Sequence, residues 1–171
     1  MTYPHLADLP LYPYLTQAGL IDGTLEGKRG VYAIFDGEVS LAYVGISRNI
    51  ATSLQQHLVR VPDRCHFYKV WTMDTWDRDL LEQIQNHWQG DLVIDRDKWE
   101  KPIDCRLLLT PEEQENLQRA EDEIAVNRVL KGAARRVEQE ILQKLAARGV
   151  KFAVCFHPKR KEEGLLDLKL Y

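Results

Sequence analysis

Apolar and polar positions alternate with a period of two over two neighbouring stretches of the chain. Val31, Ala33 and Phe35 alternate with Tyr32, Ile34 and Asp36, and Leu41, Tyr43 and Gly45 alternate with Ala42, Val44 and Ile46. A pleated strand imposes that period, because successive side chains leave on opposite faces. Asp36-Gly37 between the stretches predicts a hairpin, with Gly37 supplying the positive φ of the turn. Tyr32 and Tyr43 are then expected close together on adjacent antiparallel strands.

After Ser47 the period becomes helical. Ser47 or Asn49 caps a helix to about Arg60, with Ile50, Leu54, Leu58 and Val61 in one apolar stripe. Asn49, Ser53, Gln56 and Arg60 fall on the other side, and His57 on the border. Cys65 to Trp71 reads as a third strand. Asp77 to Gly90 reads as a second helix that buries Leu80, Leu81, Ile84 and Trp88, with Glu82 beside that face. Three prolines, Pro4, Pro10 and Pro13, interrupt the first half of residues 1–29. That segment is expected to cover an edge or face of the sheet, with a short helix from Leu15 to Leu20.

Residues 91–106 read as a charged loop with at most a short strand near Cys105 to Leu109. Thr110-Pro111-Glu112-Glu113 is a helix start, with threonine at the cap, proline in the first turn and glutamate where a capping box requires it. The helix is expected to run to Lys131 and weaken at Gly132, with a second from about Ala133 to Arg148. Lys151–Phe156 and Leu165–Leu170 alternate like the strands of a last hairpin. The fold class is therefore α/β, a small antiparallel sheet flanked by helices, with a C-terminal helical extension and hairpin. Residues 1–110 and 111–171 form the two parts, the second packed on the first.

Composition narrows the setting. With 44% hydrophobic and 29% charged residues, the 171-residue chain has the make-up of an ordinary globular protein, without an apolar run of membrane-spanning length. No signal peptide is visible at the N-terminus. Cys65, Cys105 and Cys155 are widely spaced, which fits neither a disulfide framework nor a structural zinc site. A reducing cytosol is the expected location, with the thiols unpaired. The net charge of −3 by itself speaks against a strong sequence-independent grip on nucleic acid. The charge is uneven, however: residues 74–123 carry fifteen acids and six bases, residues 128–161 ten bases and two acids. Any DNA association is expected from Arg128 to Lys161, weak and salt-sensitive.

The triplets Gly30-Val31-Tyr32 and Tyr43-Val44-Gly45, followed by Ser47, Asn49, Ile50 and His57, resemble the signature of the GIY-YIG nuclease superfamily. Val44 to Ala51 more closely resembles the GIY-YIG-like domain that precedes the glutaredoxin domain in chloroplast monothiol glutaredoxins, which implies a photosynthetic, cyanobacterial-type source. The resemblance covers residues 28–90. It implies a GIY-YIG-type sheet and metal-dependent phosphodiester hydrolysis, with Tyr32 and Tyr43 near the nucleophile and Glu82 holding Mg²⁺ or Mn²⁺. It also implies a phosphate-binding arginine on the first helix, but that position falls on Ser53. Arg48, His57 and Arg60 are the substitutes at hand. Serine lacks the planar cationic fork that grips phosphate oxygens, so the chemistry is expected to be weakened or lost. The chain contains no Cys-Gly-Phe-Ser run and so no glutaredoxin site of its own. A partner-binding module linked to glutaredoxin-type proteins is accordingly the rival reading. For Trp71, Trp76, Trp88 and Trp99, packing is expected before base stacking.

Overall fold

The computed structural model describes residues 2–170, which divide into two compact units between Asp95 and Arg96. The first holds a four-stranded antiparallel sheet in the order β1-β4-β2-β3. Its strands are β1 (Tyr12–Pro13), β2 (Arg29–Phe35), β3 (Leu41–Ser47) and β4 (Phe67–Met73). β2 is the central strand: Tyr32 lies opposite Gly45 on one side and Val70 on the other. The N-terminal segment does cover an edge, by adding Tyr12 and Pro13 to β4 as a strand. Residues 15–20 form turns rather than the expected helix. Tyr14 anchors this segment through a buried hydrogen bond from its hydroxyl to the Leu54 carbonyl, at 2.6 Å.

Alternation along β2 and β3 sends side chains to two different helices. Val31, Ala33, Phe35 and Val44 cluster with Leu81, Ile84 and Trp88 of α2 (Arg78–Gln89). Tyr32 and Tyr43 leave on the opposite face, where they meet His57 of α1 (Ile50–Arg60). The sheet is thus covered on both faces, by α2 on one and α1 on the other. Asn49 caps α1 and Asp77 caps α2, each accepting a backbone N–H from the first turn.

The hairpin between β2 and β3 differs from the sequence reading in one respect. The left-handed residue is Val39, at φ 62°, and not Gly37. Asp36 makes this loop by accepting the backbone N–H groups of Glu38 and Ser40, an arrangement that sets the turn without glycine.

The second unit begins earlier than residue 111, because residues 96–110 are tied into it. α3 (Arg96–Glu100) is followed by β5 (Ile103–Asp104), which pairs with β6 (Leu165–Leu166). Residues 105–108 then form a 3-10 turn where a strand was expected. α4 (Pro111–Arg119) starts with the full capping box of Thr110 and Glu113. It stops well short of Lys131. Asp122 caps a new helix, α5 (Glu123–Ala147), which runs unbroken through Gly132. One glycine costs a helix about 1 kcal/mol, less than burial of the Leu130, Ala133, Ala134, Val137 stripe that flanks it contributes. The C-terminal hairpin is reduced to a single bridge between Phe156 and Leu168, and a short helix, α6 (Pro158–Lys161), occupies the intended tip. Leu165–Leu166 pairs with Ile103–Asp104 instead.

All three cysteines are free; Cys65 and Cys105 are buried and Cys155 is exposed. Burial pushes the Cys105 thiol up to about 12. Among the described residues, no helix is long and apolar enough to cross a membrane.

Candidate functional site

The motif residues converge on one face of the first unit. The Tyr32 hydroxyl and the His57 Nε2 lie 2.6 Å apart in a hydrogen bond. The Tyr43 ring packs on the imidazole with centroids 4.6 Å apart, and the two tyrosine rings are 6.1 Å apart. These three side chains are 2%, 3% and 4% exposed. They form a buried cluster beneath α1.

The motif glycines have a packing explanation. A Cβ on Gly45 would stand 2.6 Å from both the Tyr32 hydroxyl and Tyr43 Cε1. Gly45 is therefore the space that lets the two rings share a face. Gly30 has φ +155°, and a Cβ there would strike the Trp71 carbonyl oxygen on β4 and lie 2.9 Å from Thr72 Cα. The backbone of β4 thus occupies the space a side chain at this position would need.

Ser53, Arg48 and Glu82 each have a partner outside the cluster. Ser53, at the arginine position, donates to the Ser47 hydroxyl oxygen at 2.7 Å and ties α1 to the end of β3. The Arg48 guanidinium lies 4.5 Å from the centre of the Trp76 ring, and Trp76 packs against the α2-side cluster. Arg60 is the last residue of α1 and is partly buried. Glu82 lies on α2, which covers the opposite face of the sheet from Tyr32 and Tyr43. Its carboxylate is hydrogen-bonded to Arg78 Nε at 2.7 Å. Glu82, the residue implied for Mg²⁺ or Mn²⁺, and the two tyrosines lie on opposite faces of the sheet, and the Tyr32 phenol is hydrogen-bonded to His57. Among the described residues no three of His, Cys, Asp and Glu gather as a metal ion's ligands.

Several bases of the Arg128 to Lys161 stretch are engaged internally. Arg136 bonds both Glu113 oxygens, Glu140 and the Leu108 carbonyl, and its hydrogen bond holds the Glu113 carboxyl below the usual range. Arg160 pairs with Glu163 and Asp167, and Lys161 with Glu138. The expected basic surface is accordingly narrower than the sequence count.

No family model matches the chain. Over 65 residues, 38% of its length, it is 44% identical to the bifunctional monothiol glutaredoxin-S16, chloroplastic, of Arabidopsis thaliana. The chain spans about 22% of that protein's length.

Proposed function

We propose that this is a GIY-YIG-like, nucleic-acid-associated protein in which metal-dependent phosphodiester hydrolysis, placed in the first unit, is weakened or lost. The observation that carries this reading is the buried Tyr32–His57–Tyr43 cluster. Hydrolysis requires a nucleophile, a metal and a cation around one phosphate. Here the phenols are buried, Glu82 is on the far side of the sheet, and Ser53 supplies no charge. Losing one such stabilising group costs on the order of a hundredfold in rate, and several are displaced. DNA association then rests on the exposed bases between Arg128 and Lys161, in the second unit, and falls steeply with salt. A cytosolic setting agrees with the free thiols.

A second reading, a partner-binding module that works with glutaredoxin-type proteins, is favoured by the similarity to the plant glutaredoxin. A plasmid-nicking assay with Mg²⁺ or Mn²⁺ tests the loss of hydrolysis. Wild-type protein is expected not to nick. Ser53→Arg is expected to tighten DNA binding, and any gain should persist in Ser53→Arg with Glu82→Ala. Wild-type nicking that disappears in Tyr32→Phe would make this unit an active nuclease.

A further inference from the structure

Where α4 gives way to α5, the two helices of the second unit leave a groove of about 480 Å³ between them. That size falls in the range of small-molecule sites, about 300–1,000 Å³. Ala120, Ala125, Val129 and Gly132 make its apolar floor, and Asn116, Arg119 and Arg128 stand at its rim. Two features distinguish it from an ordinary interhelical crevice.

The first is Gly132, in the interior of a 25-residue helix, where a glycine is unfavourable. No neighbour requires it, since a Cβ there would meet nothing within 4 Å. Its lack of a side chain leaves the groove open and does not relieve any clash. The second feature is the charge. Arg128 is exposed, and among the described residues it makes no ion pair or hydrogen bond. Arg119 has its partner, Glu115, on its own helix. The one carboxylate in the lining, Glu113, is neutralised by Arg136, 2.8 Å away. The groove thus combines an apolar floor with a surplus guanidinium and an amide.

We infer that this groove binds a small organic anion, a carboxylate, sulfonate or phosphate ester on a flat apolar body. The body lies on Val129 and the bare backbone face at Gly132, and the anionic group is held by Arg128 with Asn116 and Arg119 beside it. Arginine suits that role through its planar donor fork. The site belongs to the second unit and is independent of the tyrosine cluster.

The test uses the whole chain and the probe 8-anilinonaphthalene-1-sulfonate, followed by fluorescence and calorimetry, with phenyl phosphate as competitor. Wild type is expected to bind one equivalent with a dissociation constant of about 100 µM or tighter, and phenyl phosphate to displace it. Gly132→Leu fills the groove with a better helix former, so it should weaken binding about tenfold or more while the melting temperature holds or rises. Arg128→Gln, at an exposed and unpartnered position, should weaken binding about tenfold without altering stability. It decides the matter by itself if Gly132→Leu fails to fold. No binding up to millimolar probe, or wild-type affinity in Arg128→Gln, would overturn the inference.

Discussion

Gly30→Ala is expected to unfold the first unit or leave it marginal, a loss of at least about 3 kcal/mol. Two independent costs combine at this position. The backbone has φ +155°, which a residue with a Cβ adopts only under strain. The new methyl would also meet the Trp71 carbonyl oxygen and Thr72 Cα, which are backbone atoms of a paired strand and cannot rotate away. Denaturant titration of wild type and Gly30→Ala, followed by tryptophan fluorescence, reads the difference. A domain of this size has about 5–15 kcal/mol in total, so the shift would be large. A midpoint within experimental scatter of wild type would mean that the β4 backbone does not close off the space beside Gly30.

Gly45→Ala is expected to cost about 2–3 kcal/mol, the range for overpacking a closed core. Here the neighbours are rings and not backbone, so part of the cost should be recoverable. The Cβ would lie 2.6 Å from the Tyr32 hydroxyl and 2.8 Å from the carbon that bears it. Removing that hydroxyl in Tyr32→Phe relieves one of the contacts. The double variant should therefore be less destabilised than the sum of the two singles, with a coupling of about 0.5 kcal/mol or more. Strict additivity in the four-protein cycle would indicate that glycine, tyrosine and histidine do not form one packed group.

Much of the first unit was legible in the sequence because its signals are local. Asn49 and Asp77 cap α1 and α2 where their side chains imply, and the period-two alternation of Val31 to Phe35 gives β2 directly. Sequence and structure part where local signals compete, or where pairing is non-local. Gly132 reads as a weakening between two helices, yet the break falls at the Asp122 cap ten residues earlier, and burial on both sides of Gly132 carries α5 through. Leu165 and Leu166 alternate like a hairpin arm, but their partner, β5, lies some sixty residues away. Val39 took the left-handed turn position because Asp36 fixes the loop by its side chain. The proximity of Tyr32 and Tyr43 followed from the hairpin. The separation of Glu82 did not, since which face α2 covers depends on how the chain crosses the sheet. His57 reads as a border residue in a helical projection. Against a sheet that presents two tyrosine rings, the border is the centre of the contact.

The central claim is that Tyr32 and Tyr43 are interior packing residues and not groups that meet a substrate. Mild nitration of the native protein with tetranitromethane, followed by peptide mass mapping, tests it most directly. Among the described tyrosines, Tyr12, 42% exposed, should be modified first, while Tyr32 and Tyr43, at 2% and 3%, should stay unmodified until the protein unfolds. Nitration of Tyr32 or Tyr43 in the folded protein at a rate comparable to that of Tyr12 would show an open site and contradict the account.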